Sequence, residues 1–304
     1  MKSDSRSSDA RASASAAASA PTPAAAQPCY LNGEFVPLSE ARVSVLDRGF
    51  LFGDGIYEVV PFYRGRPFRL DQHFDRFERS LAAIRLRNPH DRAGWRAILQ
   101  RLVPADGGDW MAYLQVTRGV ARRDFAFPVG VAPTAMATVS PLPRPTTAQR
   151  EHGLRLVSWD DIRWQRCDIK SVSLLGAVLA RQHAVDAGVD EVAQFRDGLL
   201  TEASSANLWV VSAGRVAAPP LDHRILEGIR YGFVAELCAA HGIAFEARPI
   251  RREEVAAADE LLLTAATREI LPVTSLDGRP IGSGRPGPVY AKLRALYDAA
   301  IAAL

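Results

Sequence analysis

Lys2, Lys170 and Lys292 are the only lysines in a chain of 304 residues; arginine supplies the rest of its positive charge. Arginine serves wherever charge alone is wanted, so a lysine kept mid-chain invites a task that guanidinium cannot do. A primary amine can lose its proton and attack a carbonyl to form a Schiff base, whereas guanidinium stays protonated. Lys170, in Asp168-Ile169-Lys170-Ser171, is the candidate. Taken alone it reads as one more solvated charge, so its neighbours must decide.

If the carbonyl is that of pyridoxal phosphate, the site needs an acid for the pyridine nitrogen, groups for the phosphate and a cation for a substrate carboxylate. Glu202, in Thr201-Glu202-Ala203-Ser204-Ser205-Ala206-Asn207, sits at a strand end beside small polar residues that leave room for a ring. A carboxylate there keeps the ring nitrogen protonated and the ring electron-poor. Gly228-Ile229-Arg230 opens a predicted helix, whose first backbone N–H groups suit an anion. Thr264-Ala265-Ala266-Thr267 offers further amides, and Arg76 a cation.

Other chemistries find little support. The six histidines include no i, i+4 pair for a helical zinc site, so no metal is expected. The glycines at 282, 284 and 287 match a Gly-x-Gly-x-x-Gly pattern, but Pro286, Pro288 and the nearby C-terminus make this a turn. No Gly-x-Ser-x-Gly elbow occurs. Basic and acidic residues, 37 against 34, are interleaved and leave a net charge of +3, which argues against a nucleic-acid partner. No run approaches the roughly 18 apolar residues of a membrane span. Cys29, Cys167 and Cys238 are odd in number and far apart, as suits a reducing cytoplasm.

The elements that must position these groups follow from turn and period signals. Residues 1–28, rich in Ala, Ser and Pro, are expected to be a disordered tail. Asn32-Gly33 predicts a hairpin, and residues 55–63 a strand. Asp71 is the expected N-cap of a helix carrying Phe74, Phe77, Leu81 and Ile84. A second helix over 94–102 and a strand over 110–117 complete a first domain, 29–142. Three prolines between 141 and 145 and lost periodicity mark a linker at 143–150, and residues 151–304 form a second domain. There Leu174, Leu175, Val178, Leu179 and Val185 mark a helix stopping at Gly188. Further helices are expected from Gly228 to about His241 and over 289–303, and strands over 154–158, 191–195, 208–211 and 260–264.

Three segments carry a family resemblance: Asp47-Arg48-Gly49-Phe50-Leu51-Phe52-Gly53-Asp54-Gly55-Ile56-Tyr57-Glu58, Gln115-Val116-Thr117-Arg118-Gly119, and Asp161 through Ser171, extended by Leu174 to Ala180. Together they resemble the D-amino acid aminotransferases of the fold-type IV pyridoxal-phosphate enzymes, from about Tyr30 to the last helix. The resemblance implies a homodimer whose subunits have a small and a large α/β domain, with the cofactor between them. It implies a Schiff base on Lys170, Glu202 at the pyridine nitrogen and Arg76 on the phosphate. Ser204, Ser205, Asn207, Leu226, Gly228, Ile229, Arg230, Ala266 and Thr267 complete the cofactor set. Tyr57, Tyr113, Arg122, Arg123 and Phe125 would face the substrates, an amino acid and a 2-keto acid.

The chain departs from the family pattern twice. An Arg-x-His pair is expected after Val-Thr-Arg-Gly, and here Arg123 is followed at that spacing by Phe125, which cannot donate to a carboxylate. Arg230 replaces a threonine whose hydroxyl would meet phosphate. Branched-chain aminotransferases, amine transaminases and aminodeoxychorismate lyase share the architecture and are the alternative activities.

Overall fold

The computed structural model describes residues 27–304, so the expected tail lies outside the described residues except at its last two positions. In chain order the first elements are β1 (Pro28–Leu31), β2 (Glu34–Pro37), α1 (Arg48–Phe52), β3 (Gly55–Tyr63), β4 (Arg66–Pro67), α2 (Leu70–Ala83), α3 (Arg92–Leu102), β5 (Trp110–Thr117) and β6 (Thr134–Pro141). These strands form one antiparallel sheet in the order β2-β1-β6-β5-β3-β4. Asn32 and Gly33 both take positive φ at the β1–β2 turn, which a tight hairpin requires. Phe74, Phe77 and Leu81 of α2 and Trp95 and Leu99 of α3 pack with Ile56, Val60, Leu114 and Val116 in one core. Alternate side chains of β3 and β5 thus meet a helical stripe.

The second set comprises α4 (Thr147–His152), β7 (Leu154–Asp160), α5 (Leu175–Asp186), β8 (Glu191–Arg196), β9 (Leu199–Leu200), β10 (Asn207–Ser212), β11 (Arg215–Ala218), α6 (Ile229–Ala240), β12 (Phe245–Ala247), α7 (Arg252–Ala256), β13 (Glu260–Ala265), β14 (Glu269–Leu276), β15 (Arg279–Pro280) and α8 (Pro288–Ala302). They build a mixed sheet in the order β12-β11-β10-β13-β14-β7-β8-β9, with β15 also on β14. Its central strands are apolar on both faces. Trp209, Val211 and Leu262 join a core with α6 and α8, while Leu208, Val210, Leu261 and Leu263 face the opposite core. Tyr63, Phe68 and Leu142 reach from the first half into the α6–α8 core, which fastens the two sheets together.

Three local expectations change. Asp71 does not cap α2: the cap is Arg69 in the left-handed region, without a side-chain bond, and Asp71 lies in the first turn. Helix α3 starts two residues early because Asp91 accepts from Gly94 N at 2.7 Å. Within the expected linker, Thr146 and Gln149 form a reciprocal capping box that starts α4, too short to show a period. Helix α5 is present, but its apolar stripe is bare: Leu175 is 72% exposed and Val178 58%, while Ala180 and Ala184 are buried. Among the described residues no helix is long and apolar enough to cross a membrane.

Candidate active site

A cavity of about 1070 Å³ opens between the two sheets. Lys170 lines it, half-buried, with Nζ 4.2 Å from the centre of the Tyr57 ring. Its backbone is fixed on both sides: Tyr57 N donates to Lys170 O at 3.0 Å, and Lys170 N donates to Ser80 Oγ at 3.2 Å. Ile56 and Ser171 form a bridge, so the lysine segment lies alongside β3 and the amine is aimed by sheet geometry. Asp168 turns away onto Arg166, with contacts at 3.0 and 2.9 Å.

Glu202 faces the same cavity and is 5% exposed. Its Oε1 accepts from Arg163 Nη1, and its Oε2 accepts from Asn207 Nδ2 and Leu226 N, each at 3.2 Å. Burial raises the carboxyl above its ordinary range, and Arg163 opposes that shift. Arg163 is in turn held by Asp161, with Nε to Oδ1 at 2.9 Å and Nη2 to Oδ2 at 2.8 Å; Arg196 and Thr201 share Asp161. Arg163 is a site residue that sequence reasoning missed. Its signal was the Asp161-Ile162-Arg163 spacing inside the third segment.

At the other end, Glu58 is 1% exposed and accepts from Arg76 Nε at 2.9 Å and Nη2 at 2.5 Å, and from His73 Nδ1 at 2.9 Å. Burial works to raise Glu58, but Arg76 and His73 together hold it well below the usual carboxylate range. His73 is pushed down to about 4 by burial and is therefore neutral. Arg76 Nη1 donates to Glu227 O at 2.9 Å beside the start of α6. Gly228 is the N-cap of α6 with no side-chain cap, and a Cβ there would stand 2.1 Å from Asn207 Oδ1. The helix start is thus bare and tightly fitted.

All the residues expected to hold a cofactor line this cavity, as does Tyr57. Their chemistry fits pyridoxal phosphate: an amine for the aldehyde, a buried carboxylate for the ring nitrogen, and Arg76 with uncapped amides for the phosphate. Cys167 also lines it, but burial pushes its thiol up to about 11, so it is no competing nucleophile.

Apart from Tyr57, the expected substrate residues do not join them. Tyr113, Arg122, Arg123 and Phe125 are outside the lining within this chain. Tyr113 stacks behind Tyr57, rings 5.6 Å apart, and donates to Gln115 at 2.7 Å. Arg123 lies over the rings of Phe52 and Phe125, at 5.5 and 5.7 Å, and Phe125 is 79% exposed. Arg48 pins this loop by donating to the carbonyls of Asp124 and Phe125. The loop touches Phe52, which is on the cavity rim, and carries its charge outward.

Comparison with known proteins places this geometry. Residues 55–276 match the family model described as Amino-transferase class IV. A D-alanine aminotransferase of Bacillus licheniformis is 40% identical over 262 residues, covering 85% of this chain and 91% of its own. The D-alanine aminotransferase of Staphylococcus aureus (strain N315) is 37% identical, covering 88% of this chain and 96% of its own. Among solved structures, a T.th. branched-chain amino acid aminotransferase complexed with N-(5'-phosphopyridoxyl)-L-glutamate superposes with a TM-score of 0.83 at 27% identity, covering 91% of this chain and 94% of that one. The branched-chain enzyme of Escherichia coli, at 22% identity and TM-score 0.81, covers 90% and 94% and shares the fold. With the family model spanning strands of both sheets and every residue of the expected cofactor set, the chain belongs to the class IV aminotransferases.

Proposed function

We propose that the protein transfers the amino group of D-amino acids, with a D-alanine-like donor and 2-oxoglutarate as acceptor, using pyridoxal phosphate. The observation that carries this reading is the convergence of Lys170, Glu202 and the Arg76–α6 cradle on one cavity. The D-alanine aminotransferase relatives support the choice of substrate hand. When bound, pyridoxal phosphate supplies an aldehyde that takes up an amino group and a ring that accepts the electrons left by an α-proton.

Lys170 Nζ moves the proton: as a free amine it accepts the proton of the substrate α-carbon, and as an ammonium it returns one. Tyr57 bounds the space in which that amine swings. Glu202 holds the proton on the ring nitrogen, and Arg163 keeps its carboxylate in register. Arg76 and the first amides of α6 bind phosphate. Because one keto acid leaves, its amino group retained in the site, before a second keto acid enters to take that group up, the kinetics are ping-pong.

A homodimer is part of the reading. Phe50 and Leu175, each 72% exposed, and Val178, 58% exposed, line the cavity. Such an apolar rim is suited to burial by a second copy, which would also bring an arginine loop to the mouth. The same reading takes 29–142 as the small domain, 143–150 as linker and 151–304 as the large domain, because residues of both sheets line the cavity. Three buried free cysteines support a reducing cytoplasm.

Purified protein should be yellow and form pyruvate from D-alanine and 2-oxoglutarate, and Lys170→Ala should abolish both the lysine-dependent absorbance band and turnover. Activity confined to L-leucine, L-isoleucine and L-valine would reject the D-specific assignment. Pyruvate released from aminodeoxychorismate without any acceptor would instead reject transamination.

A further inference from the structure

We propose that Arg230 supplies a buried, uncompensated positive charge for which the cofactor phosphate is the counter-ion. The proposal rests on the reading of the cavity as a pyridoxal-phosphate site and deepens it.

Arg230, the second residue of α6, is 2% exposed. Its Nη2 donates to Tyr63 Oη at 3.0 Å, its Nε to Tyr297 Oη at 3.2 Å, and its Cζ lies 4.9 Å from the centre of the Phe68 ring. Nη1 is buried without a partner, and no carboxylate reaches the guanidinium among the described residues. Burial pushes the Tyr63 hydroxyl well above its ordinary range, so it stays neutral and offsets no charge.

The surrounding carboxylates are already taken. Glu58 is spent on the bidentate contact with Arg76. Glu269 is shared by Arg144, Arg150 and Arg294 at 2.6, 3.0 and 2.9 Å. His73, neutral, adds no negative charge and leaves its own Nε2 buried and unpartnered. Arg76 and Arg230 line the pocket wall with Glu58 held against Arg76, so two guanidinium groups stand against one carboxylate.

A fully buried charge without a partner is strongly unfavourable. A phosphate dianion at the uncapped start of the same helix neutralises it while accepting from the α6 amides. A threonine at this position offers one hydroxyl; arginine offers a full charge that water cannot screen. Phosphate binding and the stability of the α6–α8 core are thereby coupled, since Tyr63 and Tyr297 hold the other side of the guanidinium.

The test uses the full chain stripped of cofactor, with inorganic phosphate, pyridoxal phosphate and phosphate-free pyridoxal as probes, read by calorimetry and melting temperature. Inorganic phosphate should raise the melting temperature of the wild-type chain. Arg230→Met should weaken inorganic phosphate and pyridoxal phosphate by about tenfold or more, the effect of one charge-assisted contact. Pyridoxal should bind the methionine variant nearly as well as the wild type, and Arg230→Lys should retain most of the phosphate affinity. An equal loss of pyridoxal and pyridoxal phosphate would mean that Arg230 only shapes the helix, and would overturn the proposal. So would a wild-type chain whose melting temperature ignores inorganic phosphate, a result that needs no variant to fold. Failure of pyridoxal phosphate itself to bind the wild type would instead reject the cofactor reading.

Discussion

The two ends of the cavity are built by opposite rules. At the phosphate end, Glu58, His73, Arg76 and Arg230 are each under 5% exposed and held by one another or by tyrosines of the same chain. At the mouth, Phe50, Leu175 and Phe125 are more than 70% exposed, and Arg123 rests on ring faces with no carboxylate in reach among the described residues. One end is closed within this chain, and the other is left apolar and bare. Cofactor binding and substrate binding should therefore respond to different perturbations, and the variants that follow are chosen to separate them.

The largest separation should come from the α5 face. Leu175→Asp with Val178→Asp places two charges where the chain is apolar and bare, so it should leave the monomer fold intact while preventing association. Turnover should vanish while cofactor absorbance persists at saturating cofactor. Sedimentation and absorbance measured on the same sample check both halves, and a fully active monomer would show the mouth to be complete within one chain.

The next effect belongs to the closed end. Arg163→Met removes a charge-assisted bond from Glu202 and lets burial raise the carboxyl further. Loss of a bond to a charged group, about 1.5–3 kcal/mol, corresponds to roughly 10- to 100-fold in rate. The fall should appear in kcat with D-alanine and with an amine substrate alike, as the proposed role of Glu202 at the cofactor ring requires. A loss confined to KM for amino acids would move Arg163 to the substrate end.

Arg123→Ala tests the mouth more gently. It should raise KM for amino acids by about tenfold, the size of one charge-assisted contact, and leave an amine without a carboxylate nearly unaffected. Equal effects on both substrates would remove Arg123 from carboxylate binding.

The same contrast explains what was legible beforehand. Lys170 and Glu202 could be read because their chemistry is tied to residue type and to local turns: a scarce amine, and an acid at a strand end. Arg163 was harder to read: the Asp161-Ile162-Arg163 spacing marked it, but its partner Glu202 lies 39 residues away. Arg230's tyrosines, 67 and 167 residues distant, could not be read. Helix α5 was predicted from its leucines, yet those leucines face outward, because periodicity reports a stripe and not what covers it. The short helix α4 escaped notice for the opposite reason, having a capping box but no room for a period.

The smallest expected effect is on stability and concerns His73. Its folded pKa is depressed from 6.5 to about 4, chiefly by burial and against the pull of Glu58. Between those values the unfolded chain binds the proton and the folded one does not, so stability is fully present above 6.5 and is lost as pH falls toward about 4. The slope attributable to this one site cannot exceed one proton, about 1.4 kcal/mol per pH unit. His73→Gln keeps a polar donor toward Glu58 without a group that titrates here. Urea midpoints across the window should fall less steeply for the glutamine variant than for the wild type. Because Arg123 and Phe125 lie at the exposed mouth, their variants should leave that slope unchanged. A parallel decline in the wild type and His73→Gln would place the acid sensitivity outside the phosphate end.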